Sequence, residues 1–194
     1  TVTGSGSGTY WHGDTLRVEA EPATGYYFSN WSGAELGESQ QSGSLALEVT
    51  SKLKLIAHFG VKQYTITFDT DGGSEIEPAV VYYQDKVTAP AEPQREGYRF
   101  LDWEPRLPKE MPAEDLTVKA TWSVKQYLIT FDTDGGTPVD IIDANYGEAV
   151  EKPADPEREG YTFAGWSDSI PATMPARDLK LTAFWTVNSY ELTW

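Results

Sequence analysis

Apolar and polar residues alternate over several short stretches of this chain. Residues 64–69 read YTITFD and residues 116–122 read LTVKATW, so that every second side chain is apolar. A period of two residues is typical of a strand with one buried face. Prolines and glycines interrupt the segments with helical spacing, and the pattern allows one helical turn, near residues 111–115 (MPAED), because proline and acidic residues suit a helix start. The pattern predicts a β-rich fold, either all-β or α+β.

The alternating stretches recur at a constant offset of 63 residues. Three pairs of segments align at this offset, and the first pair differs at one residue: KQYTITFDTDGG (62–73) and KQYLITFDTDGG (125–136), GYRFLDW (97–103) and GYTFAGW (160–166), and MPAEDLTVKATW (111–122) and MPARDLKLTAFW (174–185). Such self-similarity predicts a tandem repeat of one supersecondary unit. We therefore predict a second repeat over residues 61–123 and a third repeat over residues 124–186.

The two ends of the chain carry weaker copies of the same pattern. GYYFSNW (25–31) has the Gly-Tyr-x-Phe-x-x-Trp spacing of the long repeats, and LKLIAHF (53–59) has the spacing of their last strand. VNSYELTW (187–194) aligns with the opening of a repeat. We predict a divergent first repeat over residues 1–60 and the start of a truncated unit over residues 187–194. A lone strand lacks pairing partners, so we expect this unit to be disordered or paired with a neighbouring molecule.

The quoted segments resemble the internalin-type B repeat, also called the Listeria–Bacteroides repeat. The shared pattern is a Tyr-x-Ile/Val-x-Phe strand, an acidic Gly-Gly turn, a Gly-Tyr-x-Phe-x-Gly-Trp centre, and Met-Pro-Ala-x-Asp before a final strand. Asp102 departs from this pattern, because the corresponding residue of the next copy is Gly165. The resemblance implies a compact β-grasp-like module, tandem copies in bacterial surface proteins, and a role in display, spacing or adhesion. It also implies no catalytic residues and a chain that is a fragment of a longer protein.

The composition argues against several classes of function. The net charge is −15, and the 194 residues include no cysteine and two histidines, His12 and His58. An acidic surface repels phosphate backbones, so we expect no nucleic-acid binding. With so few imidazoles and no thiol, the usual nucleophile–base pairs are scarce, and we expect no enzyme activity and no cofactor. No run of 18 apolar residues is present, so we expect no membrane insertion within this fragment.

Two aspartates in each DTDGG segment allow two interpretations. They are Asp69 and Asp71 in the first copy, and Asp132 and Asp134 in the second copy. Asp-x-Asp-Gly resembles the start of a calcium-binding loop, but the bidentate glutamate that such a loop needs at its twelfth position is Val80 in one copy and Asp143 in the other. A hairpin turn is the favoured interpretation, because Asp-Gly supplies positive φ angles with a twist that suits strands.

The aromatic residues of the central motif could form a hydrophobic core or a sugar-binding face. Because the same spacing occurs in all three repeats, we predict that these residues are structural. They are Trp31, Tyr98, Phe100, Trp103, Tyr161, Phe163 and Trp166.

Tyr10, Trp11 and His12 lie in a loop rich in glycine and serine, and we expect them to have no counterpart in the other repeats. An exposed aromatic group in such a loop is a candidate contact patch for a ligand. The alternative is that Trp11 folds back on its own module.

The linkers between repeats predict a rigid array. Four residues, GVKQ, SVKQ or TVNS, separate the last aromatic residue of one repeat from the first of the next, and each linker carries a valine suited to burial at a junction. Short, equal linkers favour an elongated rod, in which the partners of each repeat are its neighbours. We therefore expect a stalk or spacer of an extracellular bacterial surface or secreted protein, in an adhesin that displays a distal binding domain. The alternative is a module that binds carbohydrate or a host protein through Tyr10 and Trp11.

Overall fold

The computed structural model describes residues 2–4, 8–33, 36 and 40–194 of the chain. This part contains strands and turns but no helix, and so it contains no helix that is long and apolar enough to cross a membrane. The strands are β1 (Val2–Gly4), β2 (Thr15–Ala20), β3 (Tyr26–Ser32), β4 (Ser44–Glu48), β5 (Ile56–Val61), β6 (Gln63–Asp69), β7 (Ala79–Tyr82), β8 (Tyr98–Glu104), β9 (Leu116–Val124), β10 (Gln126–Asp132), β11 (Ile142–Asn145), β12 (Tyr161–Trp166) and β13 (Leu179–Val187).

The second and third repeats each form a four-stranded sheet with the same strand order. The order is β7-β6-β9-β8 in the second repeat and β11-β10-β13-β12 in the third. The two central strands are parallel, with Ile66 beside Leu116 in one sheet and Ile129 beside Leu179 in the other. The prediction of a β-rich fold is confirmed, and the two strands predicted from alternation are β6 and β9.

The first repeat forms two smaller sheets instead. β1, β2 and β4 pair in that order, and β3 pairs with β5. All of these pairings are antiparallel, so the described part of the first repeat has no counterpart of the parallel central pair. The extra strand β4 lies in the connection between Trp31 and β5, which is longer than the corresponding connections in the other repeats.

The prediction of a helical turn at residues 111–115 is wrong, because this segment is irregular, with bends at residues 113 and 114, and its polar groups bond to other segments. The backbone N–H of Met111 donates a hydrogen bond to the carbonyl of Asp85 at 2.9 Å. The carboxylate of Asp115 accepts the backbone N–H of Thr65 at 2.7 Å, so it satisfies a donor of β6 rather than the first turn of a helix. The third repeat makes the same two bonds. The α component of the predicted fold is therefore absent from the described residues.

A β-bulge places the aromatic side chains of the Gly-Tyr-x-Phe-x-x-Trp segment on one face. In a regular strand, residues three positions apart point to opposite faces. In β12 the register shifts after Phe163, so that Phe163 pairs with Trp185 and Trp166 pairs with Ala183. The rings of Phe163 and Trp166 are consequently in contact, with centroids 5.3 Å apart. β3 has the same register shift in the first repeat.

The buried side chains of the second and third repeats occupy corresponding positions. In the third repeat Ile129, Ala144, Met174 and Leu181 form the core, and Trp166 packs against it. The buried residues of the second repeat include Ile66, Phe68, Val87, Trp103, Met111 and Val118. The second and third repeats thus each bury a methionine, Met111 or Met174, that lies in the connection between the third and fourth strands.

By the density of its internal contacts, the chain divides into two compact units. One contains residues 1–69, 76–91 and 103–119, and the other contains residues 70–75, 92–102 and 120–194. The division passes through the second repeat. The predicted boundaries between three modules stay a prediction.

Candidate functional site

The repeated DTDGG segment is a tight turn in both copies. Asp71 and Gly72 have φ angles of 49° and 85°, and the N–H of Gly73 donates to the carbonyl of Thr70 at 3.0 Å. Positive φ at both central residues defines a type I′ turn. This turn opens the longer connection between β6 and β7 rather than forming a two-residue hairpin. Residues 133–136 repeat the same turn in the third repeat.

A tryptophan of the last strand packs on this turn. The Trp122 ring covers Gly73 so closely that an added Cβ would lie 2.6 Å from the ring. The Nε1–H of Trp122 donates to the carbonyl of Thr70 at 3.1 Å. In the third repeat, an added Cβ at Gly136 would lie 2.5 Å from the Trp185 ring, and the Nε1–H of Trp185 donates to the carbonyl of Thr133 at 3.0 Å. The first glycine of each pair therefore supplies a positive φ angle for the turn, and the second leaves room for the indole ring.

An arginine completes the cluster around the turn. Nη1 of Arg95 lies 3.4 Å from Oδ2 of Asp71, and the guanidinium carbon lies 4.1 Å from the centre of the Tyr98 ring and 5.8 Å from that of Trp122. Arg158 makes the same contacts in the third repeat. The ion pair is partly exposed and weak by itself, but the cation above two aromatic faces adds to it.

The acidic residues of the two turns therefore contact cationic side chains of the same chain. Among the residues that the structure describes, no group of three His, Cys, Asp or Glu side chains is placed to hold a metal ion. Lys180 Nζ lies 3.2 Å from Oδ2 of Asp132, and this hydrogen bond, together with the backbone N–H of Asp134, holds the pKa of Asp132 below its ordinary value. Independence from calcium stays a prediction, and these contacts supply its physical basis.

Each repeat contains a Gly-Tyr pair before or at the start of its third strand, and we call these pairs the Gly-Tyr sites. In the first repeat, the Tyr83 ring of the second repeat covers Gly25, where an added Cβ would lie 2.1 Å from the ring. The rings of Tyr26 and Tyr83 meet edge to face at 5.9 Å. Lys62 joins the two sides, because its N–H donates to the carbonyl of Gly25 and its carbonyl accepts the N–H of Tyr83, both at 2.9 Å.

The second Gly-Tyr site repeats this geometry. The Tyr146 ring of the third repeat covers Gly97, where an added Cβ would lie 2.1 Å from the ring, and it meets the Tyr98 ring with centroids 5.9 Å apart. Lys125 makes the same two backbone hydrogen bonds, both at 2.9 Å. The predicted burial of the linker valines is wrong, since Val61 and Val124 are 36% and 39% exposed. The contact between repeats is made by a tyrosine on a glycine instead.

The third Gly-Tyr site has the same backbone but an open surface. The N–H of Asn188 donates to the carbonyl of Gly160 at 2.9 Å, as the lysines do at the other two sites. Gly160 is exposed, and beyond its two chain neighbours no described residue has an atom within 4 Å of an added Cβ.

The candidate contact patch at Tyr10, Trp11 and His12 has structural counterparts, so the expectation that it has none is wrong. Residues 11–14, 82–85 and 145–148 each close a turn with one backbone hydrogen bond, of 3.1, 3.0 and 3.0 Å. The third residue of each turn has a positive φ angle, which is typical of a type II turn. We call these segments the aromatic turns. His12 holds the second position, where the later repeats carry Tyr83 and Tyr146.

Within this patch, the exposure differs from residue to residue. Trp11 is 84% exposed, and its backbone N–H donates to Oδ2 of Asp14 at 2.8 Å. His12 is exposed and Tyr10 is half-buried. Tyr10 and His12 line a cleft of about 830 Å³ in the first repeat, together with Trp31 and residues 49–55.

The aromatic residues predicted to be structural differ in burial. Trp31 and Trp103 are 1% and 5% exposed. The other predicted residues are half-buried: Tyr98, Phe100, Tyr161, Phe163 and Trp166. The indole N–H groups of Trp31 and Trp166 are buried without a hydrogen-bond partner in the described part of the chain.

Sequence reasoning missed the tyrosines that join one repeat to the next and the arginines that pack on the acidic turns. Tyr83 and Tyr146 lie at the 63-residue offset, as do the REGY segments that contain Arg95 and Arg158. A residue-by-residue comparison of the copies would have marked them as invariant. Their partners would have remained unknown, because each contact joins distant parts of the chain.

Comparisons with known proteins agree with the repeated architecture. The family model of the Listeria-Bacteroides repeat domain matches residues 64–106 and 127–183, and that of the divergent InlB B-repeat domain matches residues 1–63. Together these matches cover most of the chain.

Three curated relatives are similar to this chain over part of their length. A candidate membrane protein of Evansella cellulosilytica is 28% identical over 87% of this chain and 28% of the relative. A candidate Gly-rich membrane protein of the same organism is 26% identical over 86% of this chain and 21% of the relative. Internalin H of Listeria monocytogenes is 32% identical over 64% of this chain and 25% of the relative. The chain thus spans about a quarter of the length of these relatives. The family matches, the repeated sheets and the repeated turn lead to one conclusion: the chain belongs to the Listeria-Bacteroides repeat family, with a divergent InlB B-repeat at its N-terminal end.

Proposed function

We propose that the chain is a spacer segment of a bacterial surface or secreted protein, in which successive repeats hold a distal binding domain away from the cell. The observation that carries this proposal is the recurrence of one junction. Tyr83 on Gly25 and Tyr146 on Gly97 make the same ring contact at 5.9 Å and the same pair of backbone hydrogen bonds. A junction that repeats the same contacts repeats one rotation and one translation, which favours a quasi-one-dimensional array.

The comparisons support the location in this proposal. One relative is named internalin H, and the two relatives from Evansella cellulosilytica are named as candidate membrane proteins. All three relatives are much longer than this chain and have room for an anchor and for other domains. The acidity of the chain, with a net charge of −15, would keep neighbouring spacers apart.

We also propose that the chain is organised as three modules with the predicted boundaries, and that the two long modules are β-grasp-like. The support is their strand order, in which the first and last strands of each repeat are the parallel central pair. Membership of a family of repeat modules in surface proteins supports the further proposal that the chain has no catalytic role.

Small-angle scattering tests the proposed rod. A compact globule of 194 residues has a radius of gyration of about 16 Å. We expect a value well above this, with a distance distribution that has a long tail. A compact value, with the repeats clustered together, would contradict the spacer function.

A second candidate function is the binding of a carbohydrate or a host protein by the first repeat. It is favoured by the 84% exposure of Trp11 beside the cleft that Tyr10 and His12 line. A glycan array and a set of host extracellular proteins would be probed with the parent chain and with Trp11→Ala. The matched control is Tyr82→Ala, because Tyr82 holds the corresponding position of the second aromatic turn and is 48% exposed. Binding that is lost in the first variant and kept in the second would support this candidate, whereas no binding by the parent would exclude it for the ligands probed.

A further inference from the structure

We propose that Gly160–Tyr161 is a docking site for a further repeat of this family, joined to the chain through residues 187–194. The tyrosine of the aromatic turn of that repeat would occupy the place that Tyr83 and Tyr146 take at the first two Gly-Tyr sites. This inference rests on the proposed function, since it names the contact by which one repeat of a spacer holds the next.

The steric argument comes from comparing the three sites. The φ angles of Gly25, Gly97 and Gly160 are 79°, 75° and 78°, so the backbone is the same in each. At Gly25 and Gly97 a tyrosine ring lies where a Cβ would be, and both glycines are buried. At Gly160 the corresponding space is open. Any side chain at these positions would exclude the ring, so the site is shaped for an aromatic residue in direct contact with backbone.

The linking peptide supports a repeat that follows in the same chain. Lys62 and Lys125 each make two backbone hydrogen bonds, one to the preceding glycine and one from the incoming tyrosine. Asn188 already makes the first of these bonds, to Gly160 at 2.9 Å. The carbonyl of Asn188 corresponds to those of Lys62 and Lys125, which accept the tyrosine N–H at the other two junctions.

The linker valine gives a second measure of what a following repeat covers. Val61 and Val124, which precede the two linking lysines, are 36% and 39% exposed. Val187, which precedes Asn188, is 68% exposed. A following repeat therefore removes a substantial part of this side chain from water, and burial of apolar area favours association.

The aromatic turns of the second and third repeats, which dock on the first two Gly-Tyr sites, indicate which residues the repeat that docks at Gly160 should carry. Tyr83 and Tyr146 are each followed by a residue with positive φ, and then by an acidic residue: Gln84 and Asp85 in one repeat, Gly147 and Glu148 in the other. The first repeat carries His12 at this position, and an imidazole covers less of the glycine than a phenol ring does. The first repeat of a second copy is therefore a poorer occupant than a repeat with tyrosine.

The test extends the chain by one repeat and uses glycine substitutions as a probe of docking. A copy of residues 132–194 is appended after Trp194, so that residues 187–194 open a complete repeat. Gly160→Ala and Gly97→Ala are made in the parent and in the extended chain, and melting temperatures are measured by calorimetry. Both substitutions carry nearly the same cost of a positive φ angle, and they differ only in whether a ring covers the site.

In the parent, Gly97→Ala should lower the melting temperature by several degrees more than Gly160→Ala. In the extended chain, we expect Gly160→Ala to become as damaging as Gly97→Ala. Tyr146→Ala in the appended copy should remove this added effect. An unchanged effect of Gly160→Ala after extension, with the appended repeat folded, would overturn the proposal.

Two further arms keep the outcome decisive. If the appended copy does not fold, residues 187–194 are replaced by residues 124–131, which open a repeat that folds in this chain. If the effect of Gly160→Ala in the parent depends on protein concentration, the site binds a second copy, and the proposed occupant is wrong. Scattering separates the failure of this inference from the failure of the proposed function. If the appended repeat does not dock at Gly160 but hangs on a tether, the particle is still elongated, so the inference fails while the spacer function stands.

Discussion

Gly73→Ala tests whether the Trp122 ring fixes the type I′ turn. The added methyl group would lie 2.6 Å from Cζ2 and 3.0 Å from Cη2 of Trp122, which is closer than carbon atoms approach one another. The ring cannot retreat without stretching its 3.1 Å hydrogen bond to the carbonyl of Thr70. The substitution therefore sets the methyl group against a fixed indole ring.

The expected cost follows from three contributions. Overpacking a well-packed site costs about 1–3 kcal/mol. Loss of a neutral hydrogen bond costs about 0.5–1.5 kcal/mol. Replacing glycine by alanine also restricts the unfolded chain, which offsets about 0.4–1 kcal/mol. We expect a net loss near 2 kcal/mol in the free energy of unfolding, which lowers the melting temperature of a chain of this size by roughly 4–8 °C.

Calorimetry on purified variants measures this shift, with Gly43→Ala as the matched control. The nearest atom to an added Cβ at Gly43 is the carbonyl oxygen of Ala20 at 3.6 Å, an ordinary contact. This control should melt at or slightly above the temperature of the parent. If Gly73→Ala melts together with Gly43→Ala, then Trp122 does not pack on the turn and the account of the repeated glycines is wrong.

Four other predictions follow from the described contacts. Trp103→Ala should destabilise the chain by about 3–5 kcal/mol because Trp103 is 5% exposed, and a variant that melts like the parent but loses glycan binding would identify the ring as a site. The pKa of Asp132, followed by carboxyl NMR shifts, should lie below the ordinary value and rise in Lys180→Gln; since the folded-state pKa is lowered, its contribution to stability is present above the unfolded pKa and is lost as the pH falls through the folded one. Melting curves with a chelator and with millimolar calcium should coincide, and a shift of several degrees would show that the acidic turns bind the ion. Amide exchange after Asn188 should be fast in the dilute monomer. Strong protection at Tyr190 would contradict this prediction.

The sequence was informative wherever a pattern repeats within one strand. Alternation located β6 and β9, because a half-buried strand needs a period of two. The 63-residue offset marked the repeated turn, and Asp-Gly identified its chemistry before its dihedral angles were known. These features depend on neighbouring residues along the chain.

Other features depend on contacts that no local pattern carries. The position of Asp115 in the sequence is typical of the first turn of a helix, but its carboxylate accepts a hydrogen bond from the backbone N–H of Thr65, 50 residues earlier. Arg95 pairs with Asp71 across 24 residues, and Trp122 reaches Thr70 across 52. The patch at Trp11 looked unique because its side chains differ from those of the later turns, although the backbone hydrogen bonds are the same. Tertiary pairing decided each of these cases.

The parallel central pair has a mechanical consequence for each long repeat. The chain enters the second repeat through β6 and leaves it through β9, and the two strands lie side by side with residues 66–69 opposite residues 116–119. A pull on the two ends of the repeat therefore slides these strands lengthwise, so that their hydrogen bonds bear the load together rather than one after another. The third repeat has the same pairing, between residues 129–132 and 179–182. The described strands of the first repeat pair only in antiparallel fashion, so under tension this repeat lacks the shear-loaded pair that would make its neighbours resistant to stretching.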